Sequence, residues 1–215
     1  DEATDAGAVY IFGRSGNNWS EQTYIKASNS GRDDHFGFAV ALSDDGNTLA
    51  AGSYYEESST TGVGSTPNDD APATGAVYVF SRSDDIWSEQ AYIKASNAER
   101  RDYFGVSVEL SGDGNTLAVG APEEKSSTTG VGSEANNNAP RAGAAYLFTR
   151  RADTWSEQAY LKASNTEQDS YFGVSVALSF DGKTLAVGAD GESGTTGVGS
   201  EPDESATNSG AVYLY

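Results

Sequence analysis

The sequence predicts an all-β fold, a β-propeller of four-stranded antiparallel blades, and three observations point there. The chain repeats itself: "GAVYIF" at Gly7, "GAVYVF" at Gly75, "GAAYLF" at Gly143 and "GAVYLY" at Gly210 lie 68, 68 and 67 residues apart. Each period holds four short runs of strand character and no helical periodicity of useful length. Turn signals separate the runs. Four-stranded units repeated radially, each burying its faces against its neighbours, suit this pattern better than a sandwich does. A parallel β-helix is the structural alternative, but its coils are usually much shorter and lack this hairpin grammar.

The period sets the organisation: a single region over residues 1–215, with repeats at about 7–74, 75–142 and 143–209 and a fourth opening strand at 210–215. In the middle copy, "GAVYVF" and "WSEQAYIKA" form one hairpin around "SRSDD". In "FGVSVELS", Val106, Val108 and Leu110 alternate with Ser107, Glu109 and Ser111, as on a strand with one buried face. Asp113-Gly114 then supplies a tight turn, and "TLAVGA" returns as the paired strand. Gly120 and its neighbouring alanines are poor strand formers alone, so their recurrence predicts another sheet packed closely there. A long polar loop, "PEEKSSTTGVGSEANNNAPRA", joins the two hairpins.

Composition excludes several function classes. There is no cysteine, so no disulfide, thiolate metal site or cysteine nucleophile is available. The formal net charge of -19 repels phosphate backbones and anionic lipid, so neither nucleic acid nor a membrane surface is an expected partner. No apolar run approaches the roughly 20 residues that span a bilayer, so membrane insertion is not expected. A chain that begins Asp-Glu-Ala-Thr without methionine reads as processed or excised from something longer.

The order "FGVSV", "LAVGAP", "GAVYVF" resembles the FG-GAP repeat of integrin α-subunit propellers and of many bacterial surface and secreted proteins. The resemblance covers essentially the whole chain. It implies that "FGVSVELS" is an innermost strand, "TLAVGAP" the second, "GAVYVF" the third and "WSEQAYIKA" the outermost. Counted so, the chain holds 13 strands: an outer pair, two complete blades and three strands of a last one. An ordinary ring has 4 to 8 blades, so the expectation is a partial ring, completed by further blades of a longer chain or by a homo-oligomer. Integrin-type repeats often carry a calcium loop, Asp-x-Asp-x-Asp-Gly-x-x-Asp, between the first two strands. Here "SDDGNT", "SGDGNT" and "SFDGKT" retain Asp45, Asp113 and Asp181 but are too short to wrap an ion, and read as hairpin turns.

The better candidate for Ca2+ is the long loop. It opens with Glu56-Glu57, Glu123-Glu124 or Asp190 and Glu192, and closes with Asp69-Asp70, Asn136-Asn137 or Asp203-Glu204. Oxygen ligands at both ends could clamp a hard cation and order some 20 residues; a solvated flexible loop is the competing reading. Tyr54-Tyr55, set against Ala121-Pro122 and Ala189-Asp190 in the other copies, is a ligand-contact candidate. Trp19, Trp87 and Trp155 keep one register, as packing residues do. His35 stands where the other copies have Tyr103 and Tyr171 and replaces a repeat aromatic; with one histidine and no cysteine, neither a zinc site nor a Ser-His-Asp triad is easily assembled. Arg100-Arg101 and Arg150-Arg151 read as surface salt-bridging pairs, and the "NWS" sequon at Asn18 as chance.

Three functions follow as expectations. The first is a non-enzymatic binding or adhesion module, extracellular or on a bacterial cell surface, whose loops take a protein or carbohydrate ligand. The second is an accessory propeller of a secreted polysaccharide-degrading or other hydrolytic enzyme. The third is a structural subunit that assembles through open blade edges.

Overall fold

The computed structural model describes residues 3–194 and 206–215. Among these residues, fourteen strands form four sheets. β1 (Val9–Ser15) and β2 (Asn18–Ile25) make a two-stranded sheet. β3 (Ala39–Leu42), β4 (Thr48–Ser53), β5 (Ala76–Ser83) and β6 (Ile86–Ile93) make a four-stranded one in sequence order. The third sheet runs β7 (Ser107–Leu110), β8 (Thr116–Ala121), β10 (Ala144–Arg151), β11 (Thr154–Lys162), with β9 (Gly130–Val131) on its outer edge. β12 (Ser175–Leu178), β13 (Leu185–Ala189) and β14 (Ala211–Leu214) form the last. Every ladder is antiparallel, and the described residues contain no helix.

The hairpins form where the sequence places them. In the inner turn the Asp113 carboxylate accepts from the Ser111 hydroxyl at 2.6 Å and the Asn115 amide at 3.0 Å. Asp45 is bound in the same way by Ser43 and Asn47, and Asp181 by Ser179 and Lys183. The outer hairpin turns on Asp84 and Asp85, both at positive φ, as a two-residue hairpin loop requires.

Each outer pair carries one β-bulge, between Ile11 and Phe12, Val79 and Phe80, and Leu147 and Phe148. The residues left unopposed are Gln22, Gln90 and Gln158. A bulge re-aims a side chain, and Gln90 is aimed at the next sheet: its Oε1 accepts from Trp155 Nε1 and from Arg150, each at 3.0 Å.

The core lies between successive sheets. Val9, Ile11 and Ile25 pack on Leu49, Tyr78 and Phe80; Val77 and Val79 on Val108, Leu117 and Val119; Ala145 and Leu161 on Leu185 and Val187. Within a sheet, Phe36, Phe104 and Phe172 each cap the third strand edge-to-face, against Tyr78, Tyr146 and Tyr213, all at 5.3 Å between ring centroids. The recurring Gly-Ala is explained by contact between sheets. A Cβ on Gly52 would stand 2.0 Å from the Gly105 carbonyl oxygen, and one on Gly120 1.8 Å from that of Gly173. Among the described residues, apolar side chains are exposed in three groups. Tyr10, Phe12 and Tyr24 lie on the first sheet, and Phe38, Val40 and Leu42 at β3, where the two-stranded first sheet has no inner strands to cover them. Val212 and Leu214 lie on the last sheet, in register with the fully buried Val77 and Val79.

The long loop differs from the flexible reading. Where described, it folds back along the outer edge, with Gly130-Val131 pairing to Lys162 and Leu161, and Val63 bridging Ile93 in the preceding copy. β9, the one strand beyond the 13 expected from the sequence, is this return. It takes up backbone groups that the outer edge of β11 would otherwise leave open.

Candidate functional site

The loop is anchored from inside by a buried ion pair. Lys94 at the end of β6 donates to Glu56 Oε2 at 2.8 Å and to the Thr74 hydroxyl at 2.6 Å. Asn29 Nδ2 donates to Glu56 Oε1 at 3.1 Å, the Ser58 hydroxyl donates to the same oxygen, and the Ser58 amide reaches Oε2 at 3.1 Å. The Tyr78 hydroxyl in turn donates to Asn29 Oδ1 at 2.5 Å. The next copy repeats the set: Lys162 to Glu124 at 2.8 Å, Asn97 to Glu124 at 3.1 Å and Tyr146 to Asn97 at 2.7 Å. In the third copy Asn165 donates to Glu192 at 2.9 Å and accepts from Tyr213. Burial pushes both lysines down, with the partner carboxylates opposing it.

This arrangement engages three of the residues predicted as calcium ligands. Glu56, Glu124 and Glu192 are turned inward, and the oxygens of the first two are committed to lysine, asparagine and serine donors. Glu57 and Glu123 are half-buried; Asp69, Asp70, Asn137 and Asp190 are exposed. Asn136 closes the loop, its Oδ1 accepting from the Ser127 and Asn138 amides. Asp203 and Glu204 lie outside the described residues. Among the described residues no three His, Asp or Glu side chains converge on a place fit for a metal ion. Glu56 and Glu124 are therefore spent on internal donors: a carboxylate already neutralised by an ammonium has little charge to offer a second cation.

Strand register moves two sequence alignments by one residue. Ser53 pairs with Ala76 as Ala121 pairs with Ala144 and Ala189 with Ala211. Tyr54-Tyr55 therefore corresponds to Pro122-Glu123 and Asp190-Gly191, not to Ala121-Pro122 and Ala189-Asp190, and Glu56 corresponds to Glu124 and Glu192.

Tyr54 and Tyr55 lie in a cluster of five rings. Tyr54 meets Phe38 at 4.4 Å, Tyr55 at 4.7 Å, His35 at 5.5 Å and Tyr103 at 5.8 Å; Tyr55 meets His35 at 5.3 Å and Tyr103 at 5.4 Å. Phe38 and Tyr55 are exposed and the other three half-buried. His35 and Tyr103 hold positive φ, an uncommon conformation for ring side chains that recurs at Tyr171. Burial, with Tyr55 adding to it, pushes the Tyr103 phenol up to about 12. The equivalent positions after β8 and β13 carry no such group of rings, because Pro122, Glu123, Asp190 and Gly191 stand there.

Below these rings the passage from β2 to β3 buries Asp34, and the passage from β6 to β7 buries Asp102. Asp34 Oδ2 accepts from the Gly31 amide at 2.5 Å, as Asp102 Oδ2 does from the Glu99 amide at 2.8 Å. Lys125 reaches Asp102 Oδ1 at 2.5 Å. Burial raises Asp34 to about 6 and Asp102 to about 7, the latter against the pull of Lys125.

The tryptophans share one sequence register in three settings. Trp155 is buried with Arg150 stacked over it at 5.5 Å, Trp87 is half-buried under Arg82 and Trp19 is exposed. Arg150 is thus a link between sheets rather than a surface ion pair: it donates to Asn115, Gln90 and the Thr48 hydroxyl as well. Sequence reasoning missed Lys94, Lys162, Asn29, Asn97, Asp34 and Asp102. The signal was available: Lys94 and Lys162 stand where an apolar residue is expected, each 38 residues after a loop glutamate.

A sequence profile of the FG-GAP repeat matches residues 19–80, 87–148 and 155–215, in step with the observed period. A search of curated proteins returned no match.

Proposed function

Because the chain belongs to the FG-GAP repeat family, whose repeats are generally extracellular binding modules, we propose that it is a non-enzymatic binding or adhesion module acting outside the cell or at a bacterial cell surface. Its sheets are blades of a propeller, and its ligand is read by the loops around Tyr54 and Tyr55. The observation that carries this reading is the five-ring cluster, which interrupts the repeat at one place and exposes aromatic surface to solvent. Variation on a repeated scaffold is where recognition is expected, since the repeated residues are already spent on packing. Binding to a panel of immobilised glycans and extracellular matrix proteins tests it. Retention of the wild type and its loss in a Tyr54→Ala/Tyr55→Ala variant are expected; no retention, or equal retention by the variant, removes the reading.

A second reading is favoured by the exposed apolar faces. Val212 and Leu214 occupy positions that the next sheet covers elsewhere, so sheets of the same kind, from a second copy or from further repeats, would cover them. Light scattering on the 215-residue chain tests the first case: a discrete oligomer supports it, and a monomer at high concentration excludes it.

A further inference from the structure

We propose that the passage from β2 to β3 holds a receptor site for a primary ammonium group, the lysine side chain of a partner protein, between Asp34 and Glu57 beside the ring cluster. The proposal rests on the reading of the chain as a binding module and deepens it.

The fold contains its own precedent. After β6, Lys125 places its ammonium against Asp102 Oδ1 at 2.5 Å and the Arg100 carbonyl at 2.9 Å, while Asp102 Oδ2 takes the Glu99 amide. After β11 the same two positions hold Ser170 and Ser193, so acid and cation are both gone. After β2 the acid is kept and the cation is replaced by another acid, Glu57. Asp34 is as buried as Asp102, at 4% exposed against 2%. Its Oδ2 takes the Gly31 amide; its Oδ1, the oxygen that holds the lysine in the other copy, receives no hydrogen bond among the described residues and is left open to solvent.

The surroundings add negative charge. Glu56, Glu57 and Asp69 all act on Asp34 in the direction that penalises its ionised form. The nearby cations are engaged elsewhere: Arg32 pairs outward with Asp33 at 3.4 Å, and Lys94 with Glu56 and Thr74. A carboxylate largely withdrawn from water and surrounded by acids gains from a cation placed at its open oxygen, as Asp102 does from Lys125. The missing component is therefore a cation. Among the described residues the carboxylates do not converge as metal ligands, whereas the second copy shows that one carboxylate oxygen and one carbonyl suffice for an ammonium. The adjoining rings of Tyr54, Tyr55 and His35 suit the apolar stem of a lysine.

The test uses the 215-residue chain and the peptide acetyl-Gly-Lys-Gly-amide, with its Nε-acetylated form as control, in amide NMR titrations at near-physiological salt. The expected result is a saturable shift at Gly31, Asp34 and Glu57 for the lysine peptide only. It should be abolished in Asp34→Asn and in Glu57→Lys and retained in the surface variant Asp84→Asn. Glu57→Lys should also raise the melting temperature, because it rebuilds the internal pair of the second copy. An equal response to the acetylated peptide, a response that survives both site variants, or competition by calcium chloride at the same amides would overturn the ammonium assignment. So would an unresponsive wild type whose melting temperature Glu57→Lys leaves unchanged. Those outcomes leave Tyr54-dependent retention on the panel intact, whereas failure of the binding-module reading removes that retention first.

Discussion

Lys94 and Glu56 form an ion pair of 2.8 Å with both side chains withdrawn from water, at 0% and 1% exposed, and Lys162 repeats it with Glu124 at 2.8 Å. Two ions taken from water gain stability only when their remaining hydrogen-bonding capacity is met. Here Thr74, Asn29 and Ser58 meet it in the first case, and Gly143, Asn97 and Ser126 in the second. The pair fixes the loop after β4 to the end of β6 and, through Asn29, to the preceding sheet.

Removing one partner is therefore expected to cost more than removing both. Lys94→Met leaves Glu56 buried and unpaired, and should destabilise the chain by about 3–5 kcal/mol in urea unfolding. Lys94→Met combined with Glu56→Gln should recover part of that loss. If the single variant unfolds at the wild-type midpoint, the pair is not the anchor of the loop.

Gly120 tests the packing of sheet on sheet. Its added Cβ would meet the backbone carbonyl of Gly173, which cannot rotate away. At Gly188, the same repeat position, the first atom met is the Ser175 hydroxyl, which can. Gly120→Ala should cost about 1–3 kcal/mol as overpacking, and Gly188→Ala less. Equal melting temperatures for the two variants would contradict the close approach of the third and fourth sheets at that point.

How much of this was legible in the sequence follows from what kind of interaction each feature depends on. The period, the alternation of Val106, Val108 and Leu110 and the Asp113-Gly114 turn are local, and each reappears in the structure as strand or turn. The bulges were not legible, because Gln22, Gln90 and Gln158 sit in unbroken strand-like runs and declare themselves only through their partners. The candidate site was legible by residue and not by role. Tyr54 and Tyr55 stood out as departures from the repeat, but their contacts with Tyr103 and Phe38 come from loops brought together by the fold. The inward turn of Glu56 and Glu124 was not legible, because nothing in a polar loop announces that one of its carboxylates pairs with a lysine 38 residues on.

The pH dependence of stability follows from two opposed groups of carboxylates. Burial raises Asp34 to about 6 and Asp102 to about 7. Between the ordinary value near 4 and those values the folded chain holds protons that the unfolded chain has released. Their contribution is thus complete below about pH 4 and lost as the pH rises through about 6 to 7. Asp45, Asp113 and Asp181 are lowered, first by the hydroxyls of Ser43, Ser111 and Ser179, so their contribution is present above the ordinary range and lost as the pH falls through their lowered values. Melting temperature should rise from pH 8 to about pH 5 and fall in stronger acid. Asp34→Asn should raise it at pH 8 more than at pH 5; a uniform effect at both would show that Asp34 does not titrate in this window.

The three tryptophans give the last prediction, because one residue type in one register meets three environments. Trp155 is 3% exposed, bonded through Nε1 to Gln90 and stacked under Arg150. Trp19 is 66% exposed, with Arg14 over it at 6.0 Å. The difference lies in the preceding sheet: Gln90, freed by its bulge, reaches back over Trp155, and no described strand stands before β1 to do the same for Trp19. Trp155→Ala should therefore cost about 3–5 kcal/mol, and Trp19→Ala no more than about 0.5. Single-tryptophan variants should show the matching optical order, with emission bluest and least quenched by iodide for Trp155 and reddest for Trp19. Comparable quenching of the two would mean that the second and third sheets do not close over Trp155 in solution.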